Sequence, residues 1–200
     1  MSDLFHKEHP SHEDQTFKTR IVDSLDELSS EDRFGTIYAD PPWQYDNKAT
    51  RGAAQNHYST MRLDDIIGLP VKKLSARNSQ LHLWTTNAFL HACLDEVIPA
   101  WGFKFRGMFV WCKEEMGLGN YWRCSHEYLL LGIRGSATFN DKTLRSWEES
   151  PRGRHSAKPR WVRDMVHRAG KGPYLEMFGR EAVSGWTVFG NQIEKTLFSK

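Results

Sequence analysis

The turn Asp40-Pro41-Pro42-Trp43 constrains the fold of this chain more than any other feature. It follows residues 36–39, an apolar and partly β-branched run that predicts a short buried strand. Neither proline has a backbone N–H to donate, and Pro41 pushes Asp40 away from helical backbone angles. The sequence therefore predicts a stiff, extended turn at the carboxyl end of a strand, where ligands bind in open α/β sheets. A carboxylate, carbonyl oxygens not used by a helix and a large aromatic plane suit a flat substrate that carries an amine.

Composition limits the class of protein. The 200 residues, 39 % of them apolar, are enough for one domain with a hydrophobic core. The net charge of +2 excludes a polycation, so any nucleic-acid binding depends on local basic patches. Three cysteines without framework spacing predict reduced thiols and a cytoplasmic location. No apolar run approaches the ~18 residues of a membrane span and no leader pattern is present, so no membrane association is expected.

Strands and helices alternate along the chain without internal repeats. This alternation favours a single α/β domain with a mostly parallel sheet. Asn87 is expected to cap the helix that follows it, and Gly170 is expected to end the helix that begins after Pro159. Residues 23–32 are compatible with a helix. The predicted helices cover residues 62–68, 89–101 and 159–169, and the predicted strands cover residues 21–22, 36–39, 81–86, 103–113, 126–133, 137–139, 174–178 and 186–189.

The segment 142–171 is strongly basic, with nine Lys and Arg residues against three acidic ones. Its loop, residues 146–156, carries Arg152 and Arg154, which have no acidic residue immediately beside them, so we expect it to bind phosphates of a nucleic acid. The basic side of the helix that follows is either a second phosphate-binding surface or an ordinary solvated face.

No metal is predicted. His6, His9 and His12 lie at three-residue intervals, but a flexible polar tail over residues 1–20 is the favoured interpretation because Pro10 interrupts any helix there. The group Cys112, Cys124 and His126 fits no common zinc spacing and lacks a fourth ligand. The folded domain is expected to occupy residues 21–200.

Several motifs together resemble one protein family. Asp40-Pro41-Pro42-Trp43 matches the [D/N/S]-P-P-[Y/F/W] motif of amino-methyltransferases, and the chain resembles the MT-A70 family of S-adenosylmethionine-dependent adenine-N6 methyltransferases from about residue 21 to residue 192. Because several anchors occur in the family's order at similar spacings, chance is not a serious competitor. The further anchors are Tyr58-Ser59-Thr60-Met61, Leu83-Trp84, Trp111 with Lys113, His126-Glu127, Leu130-Leu131-Gly132, Lys158-Pro159, Glu176-Met177-Phe178-Gly179-Arg180, Trp186 and Gly190-Asn191-Gln192.

The resemblance implies a Rossmann-like fold in permuted order, with the catalytic turn before the cofactor strand and helices on both faces of the sheet. The lack of a G-x-G-x-x-G after an early strand agrees with a non-standard order. The implied cofactor is S-adenosyl-L-methionine, with Glu176 near its ribose and Lys158 near its carboxylate. The implied cofactor-binding residues are Asp40, Lys158, Glu176, Arg180, Asn191 and Gln192.

The implied reaction accounts for the residues of the turn. An exocyclic adenine amine is a poor nucleophile because its lone pair is delocalised into the ring. Asp40 and the carbonyl of Pro41 can accept its two N–H bonds, and the two prolines keep these acceptors rigid. Trp43 is expected to stack on the base and Tyr45 to cover the other face, the alternative for Trp43 being a core aromatic. The methyl group needs only a direct in-line path, so no covalent intermediate is expected.

Further residues are expected to border the substrate cleft. For Lys113, His126 and Glu127, the alternative is that the side chain only packs at the end of a strand. They are Tyr58, Lys113, His126 and Glu127, and the basic loop adds Arg152 and Arg154.

One departure bears on the substrate. Residues 181–185 are short and lack the longer His-Asn-containing loop of eukaryotic RNA-modifying members, so the chain looks like the compact bacterial and phage branch, which favours DNA over RNA. A homodimer would supply more groove contacts. The competing hypothesis is a catalytically silent module that binds nucleic acid or supports a partner, although such members usually have an altered turn and this one is intact.

Overall fold

An eight-stranded sheet forms the centre of the molecule. The computed structural model describes residues 17–29, 31–45, 60–117, 121–153 and 157–190. The strands are β1 (Arg20–Val22), β2 (Phe34–Ala39), β3 (Ser75–Thr85), β4 (Lys104–Cys112), β5 (His126–Arg134), β6 (Trp147–Glu149), β7 (Tyr174–Met177) and β8 (Trp186–Phe189).

The strand order is β1-β8-β7-β2-β3-β5-β4-β6. Among the described strands, five pairings are parallel, and β5 runs antiparallel to both β3 and β4. The prediction of a mostly parallel sheet is therefore confirmed. So is the permuted order, because β7 comes late in the chain and yet pairs with β2.

Helices cover both faces of the sheet, as predicted. On one face lie α1 (Leu63–Ile67), α2 (Val71–Leu74), α3 (Leu90–Ala92) and α4 (Ile98–Ala100), the last two joined by a π-helical turn over Cys93–Val97. On the other face lies α5 (Trp161–Ala169), which packs through Val162 and Val166. A 3-10 turn over Leu25–Glu27 follows β1.

Successive side chains of the central strands point to opposite faces of the sheet, so the hydrophobic core is divided into two clusters. Ile37 of β2 faces the cluster under α1 to α4, and Tyr38 faces the cluster under α5. Trp84 is fully buried in the second cluster, where its indole N–H donates to the Tyr38 hydroxyl at 2.7 Å. This bond satisfies a polar group that would otherwise destabilise the core.

Three local predictions are wrong. Phe89, not Asn87, occupies the N-cap of α3, and the Asn87 amide instead donates to Cys124 Sγ at 3.6 Å. Residues 137–139 form no strand, because their backbone serves another role: the Thr138 carbonyl accepts from the Gln80 side chain at 2.6 Å. The edge position belongs to β6, in the segment predicted as a loop, which pairs with the end of β4. Of residues 23–29, 31 and 32, which the structure describes within the helix-compatible segment, only Leu25–Glu27 is helical, as a 3-10 turn.

The described chain begins within the predicted tail. Phe17 packs edge-on against Tyr174 at a centroid distance of 5.9 Å, and Thr19 Oγ1 accepts from the Gly185 N–H at 3.1 Å. Residues 1–16, including the three histidines, lie outside the described residues. Within the described part, no helix is long and apolar enough to cross a membrane. The domain boundaries remain a prediction.

Candidate active site at the carboxyl edge of the sheet

The predicted turn lies where the chain connections reverse direction across the sheet. After β2 the chain continues towards β3, whereas after β7, the other neighbour of β2, it continues towards β8. The Asp40 N–H bonds to the Met177 carbonyl at 3.4 Å, which ties the ends of β2 and β7 together. Ligands of open α/β sheets bind in the crevice at such a point.

Backbone hydrogen bonds brace the turn itself. The Trp43 N–H donates to the Pro41 carbonyl at 2.9 Å, and the Met61 N–H donates to the Pro42 carbonyl at 2.8 Å. As predicted, no helix uses these carbonyls, but each already accepts one backbone donor. Because a carbonyl oxygen has two lone pairs, the Pro41 oxygen retains capacity for a second donor.

Asp40 belongs to a chain of alternating charges. Lys158 Nζ lies 2.8 Å from both carboxylate oxygens of Asp40 and 3.2 Å from Glu127 Oε2. Glu127 also accepts from Lys113 through its other oxygen. The four residues come from the ends of β2, β4 and β5 and from the segment before α5, so the fold brings four predicted residues into one contiguous cluster.

The cluster is mostly buried, and its charges stabilise one another. Burial alone would raise the pKa of the Glu127 carboxyl, but Lys158 and Lys113 outweigh it and hold that pKa below the ordinary value. Burial disfavours the Lys158 ammonium, but Asp40 and Glu127 overcome that effect and raise its pKa. Glu127 and Lys158 are therefore charged throughout the neutral pH range.

Two tryptophans form the wall behind these cations. Lys158 Nζ lies 5.4 Å from the centroid of Trp84, and Lys113 Nζ lies 4.9 Å from the centroid of Trp111. The two indoles meet edge to face at 6.1 Å. Such cation–π contacts attract the two ammonium groups to the indole faces. The sequence-based prediction assigned neither tryptophan a contact with a lysine. The position of Trp84 near the end of β3 and of Trp111 near the end of β4 is the signal that could have indicated these contacts.

Trp43 is more buried than the proposed stacking role predicts. It is 7 % exposed, and its ring stacks on Phe89 at a centroid distance of 4.9 Å. Its indole N–H has no hydrogen-bond partner among the described residues. Tyr45 is 46 % exposed at the rim, where its hydroxyl bonds to Thr86 Oγ1 at 2.8 Å and its ring meets Phe89 edge-on. Phe89, predicted only as a core residue, thus connects both aromatics of the turn.

Glu176 lies on β7 with its carboxylate held by an arginine. Arg163 of α5 donates to its two oxygens at 2.7 and 2.9 Å and to Glu181 at 2.7 Å. Glu176 is only 5 % exposed, and burial raises the pKa of its carboxyl although Arg163 opposes this. No sequence pattern indicated this pair, because Arg163 is one of nine basic residues in the segment 142–171.

The remaining predicted residues lie around this centre or outside the described part. His126 Nε2 bonds to the Tyr128 hydroxyl at 2.8 Å. Arg152 donates to the Glu115 carbonyl at 3.1 Å, and Arg180 is exposed just beyond β7. Among the described residues, no group of three or more His, Cys, Asp or Glu side chains is arranged to hold a metal ion. The residues that lie outside the described part are Tyr58, Arg154, Asn191 and Gln192.

A cavity along α5 has none of the four residues of the charge cluster in its lining. It measures about 550 Å³ and is lined by residues that include Arg160, Arg163, His167, Glu181 and Trp186. We place the candidate site at Asp40 because buried opposite charges meet the end of β2 there.

The backbone beyond β7 and β8 is packed closely. A Cβ atom on Gly190 would lie 2.0 Å from the Gly179 carbonyl oxygen, and one on Gly179 would lie 2.3 Å from Val188. Phe178 has a φ of 67°, a left-handed conformation that is unusual for a residue with a Cβ. Such strained backbone is typical of ligand sites. Near this edge, Lys158 and the Asp40 carboxylate offer a cation and an anion, a donor set that fits the carboxylate and positive charges of S-adenosylmethionine.

The fold and the cluster define a Rossmann-like α/β domain with a buried charge cluster at its switch point. The chain belongs to the MT-A70 family, whose model matches residues 34–192.

Individual relatives show how far the similarity extends. The type II methyltransferase M.MunI of Mycoplasma sp is 28 % identical, over 88 % of this chain and 86 % of that protein. The N(6)-adenine-specific methyltransferase METTL4 of Mus musculus is 27 % identical, over 81 % of this chain but 38 % of its own length. The N6-methyladenosine RNA methyltransferase MTA1 of Pyricularia oryzae is 28 % identical, over 83 % of this chain and 48 % of its own length. The chain thus spans most of the first relative and less than half of the other two.

Proposed function

We propose that this protein transfers a methyl group from S-adenosyl-L-methionine to the N6 amine of adenine in DNA. The observation that carries the proposal is the position of Asp40, which begins the two-proline turn in the crevice at the end of β2. Lys158 holds its carboxylate there. Membership of the MT-A70 family supports the reaction class.

The proposed role of Asp40 is to accept hydrogen bonds from the amine. A carboxylate oxygen and the second lone pair of the Pro41 carbonyl would take the two N–H bonds, which localises the nitrogen lone pair as that atom becomes tetrahedral. In the structure Lys158 occupies both Asp40 oxygens, so an incoming amine shares or displaces one of its bonds. Glu127, 3.2 Å from the same ammonium, keeps Lys158 paired when that happens.

The aromatic residues are proposed to exclude water and orient the base. Tyr45 is exposed at the rim of the crevice, and its hydroxyl bonds to Thr86. It is therefore better placed than the buried Trp43 to contact a planar base. Trp43 stacks on Phe89, and Tyr45 contacts the same Phe89 ring. Trp43 is therefore proposed to stabilise the turn rather than to contact the base. A base that is held in this way presents its amine to the Asp40 end of the crevice.

The cofactor supplies an electrophilic methyl group, which needs no activation by the protein. Lys158 is proposed to hold its carboxylate, with Arg180 contributing from the loop after β7. Glu176 remains a proposed ribose ligand, although it must then share oxygens that Arg163 already occupies. Asn191 and Gln192 complete the proposed set.

DNA is favoured over RNA by the extent of the similarity. The Mycoplasma type II methyltransferase matches this chain over most of both lengths, whereas the fungal RNA methyltransferase matches over 48 % of its own. Identities are similar, however, so RNA is the second candidate substrate. The similarity to a Mycoplasma enzyme supports a cytoplasmic location, and a homodimer would add the groove contacts that one compact domain lacks.

Methyl transfer from tritiated cofactor tests the proposal directly. Duplex DNA, single-stranded DNA and RNA are assayed side by side, and nucleosides from the labelled polymer are identified. We expect label in N6-methyladenine, with DNA as the better substrate. Calorimetric titration of the cofactor separates an enzyme from a silent module: no heat at high cofactor concentration would leave only the binding role. Lys158→Met should weaken cofactor binding about tenfold or more, since a charge-assisted bond is lost. Lys104→Met is the control and should leave cofactor binding unchanged, because Lys104 is exposed at the end of β4 that is remote from the charge cluster.

A further inference from the structure

Two adjacent aromatic side chains stand almost wholly in solvent near the candidate site. Tyr121 is 94 % exposed and Trp122 is 89 % exposed. Large aromatic residues are normally buried to a high degree, and the tryptophans of the hydrophobic core, such as Trp84 and Trp111, are at most 7 % exposed. Adjacent exposed aromatics of this size point to a surface that acquires a partner.

The base of the loop fixes where these side chains stand. The Lys113 N–H donates to the Ser125 carbonyl at 2.6 Å, and the Gly117 N–H donates to the Cys124 carbonyl at 2.8 Å. These bonds continue the pairing of β4 with β5 past the end of the sheet. The loop therefore leaves the carboxyl edge as a closed stem, with Tyr121 and Trp122 beyond it.

Both ends of the stem join the charge cluster. Lys113 begins the loop, and Glu127, its ion-pair partner, follows two residues after Ser125. The Asn87 contact with Cys124 and the Arg152 bond to the Glu115 carbonyl hold the stem from either side. The aromatic pair is thus carried on a braced stem that starts at the candidate active site.

The chemistry of the tip favours stacking over charge pairing. The described loop carries Lys113, Glu114, Glu115 and Arg123, two charges of each sign, so it is not a polyanion-binding segment by itself. Exposed aromatic rings instead bind the π-faces of unstacked bases, and they do so with little sequence preference. An enzyme that takes an adenine out of a stack necessarily leaves such faces exposed on the neighbouring bases.

We infer that Tyr121 and Trp122 form a stacking platform for the bases that flank the target adenine. This inference rests on the proposed function. The platform would hold the opened strand beside the crevice while the adenine amine is at Asp40, and it gives Arg152 an indirect role, since that side chain braces the stem.

The test compares the Tyr121→Ala/Trp122→Ala double variant with the unmodified protein. Binding is measured by fluorescence anisotropy on a labelled single-stranded DNA of about 20 nucleotides and on an abasic strand with the same phosphates. We expect the double variant to bind the base-bearing strand about tenfold or more weakly and the abasic strand equally well. Because both residues are exposed, folding and cofactor binding should be unchanged. Phe105→Ala, an exposed aromatic at the other end of β4, is the matched control and should behave as the unmodified protein does.

The possible failures are distinguishable. Equal losses on both strands, or no loss on either, overturn the platform while leaving the proposed function intact. A variant that binds DNA normally but loses self-association in light scattering shows a protein interface instead, and also overturns it. An unmodified protein that binds neither strand, with or without cofactor, overturns both the platform and the proposed function.

Discussion

Lys158 Nζ lies 2.8 Å from both carboxylate oxygens of Asp40, although 118 positions separate the two residues in the chain. A bond to each oxygen fixes the orientation of the carboxylate at the end of the rigid turn. Glu127 provides the second anion for the same ammonium. Because this cluster and the Arg163–Glu176 ion pair share no residue, substitutions can separate their contributions to activity and stability.

Asp40→Asn should abolish methyl transfer and leave the fold intact. The amide retains one acceptor oxygen but loses the negative charge, and removal of one preorganised transition-state contact commonly reduces kcat by 100-fold or more. Tritiated methyl transfer measures the loss, and thermal unfolding checks the fold. Asp32→Asn, which removes a peripheral ion pair with Arg20, is the control and should retain full activity. A variant at position 40 that keeps more than a few per cent of the rate would exclude the proposed role.

Glu127→Gln should flatten the acid limb of the stability profile. The folded-state pKa of Glu127 is lowered from 4.5, so its carboxylate contributes stability that is present above pH 4.5 and lost as pH falls through the depressed folded value. Urea unfolding between about pH 7 and about pH 3 should therefore show a smaller fall in the free energy of unfolding for the variant than for the wild type.

Glu149→Gln provides the comparison for that experiment, since Glu149 is exposed on β6. Its profile should follow that of the wild type. If the Glu127 variant also kept the full wild-type slope, the cluster would not be the origin of the acid sensitivity. At the alkaline end, the raised pKa of Lys158 predicts that its contribution is complete below pH 10.5 and is lost only as pH rises through the higher folded value.

Arg163→Met should destabilise the protein by about 3 kcal/mol, because it leaves the buried Glu176 carboxylate without its cation. Adding Glu176→Gln should restore part of that loss by removing the uncompensated charge. Arg160→Met on the same helix is the matched control: its side chain is 85 % exposed and its pair with Glu181 should contribute less than about 1 kcal/mol. Denaturant unfolding of the four proteins gives the values. Equal effects at positions 160 and 163 would contradict the assignment of a buried pair.

Arg152→Ala should weaken nucleic-acid binding. If Arg152 contacts a phosphate, the slope of log K against log salt should fall by about one. If it acts only by bracing the Glu115 stem, affinity should fall while the slope stays unchanged. Arg106→Ala, exposed near the amino end of β4, should change neither quantity. Wild-type affinity in the Arg152 variant would remove it from the substrate surface.

Sequence reasoning located the elements well where a local pattern decides them. The two prolines fix the turn after β2 whatever surrounds it, and the apolar spacing after Pro159 fixes α5 and its end at Gly170. It failed where distant segments compete for one position. The edge beside β4 went to residues 147–149 rather than 137–139, and Asn87 bonds to Cys124 instead of capping α3.

The candidate site divides in the same way. The sequence by itself determined the two-proline turn after β2, its carboxylate and the residue types near it, because backbone stiffness and side-chain chemistry are local properties. Only the tertiary structure decided that Lys158 pairs with both Asp40 and Glu127, that Arg163 pairs with Glu176, and that Trp43 packs on Phe89. Those contacts depend on which strands become neighbours, and strand order follows from burying both faces of the sheet at once rather than from any single stretch of sequence.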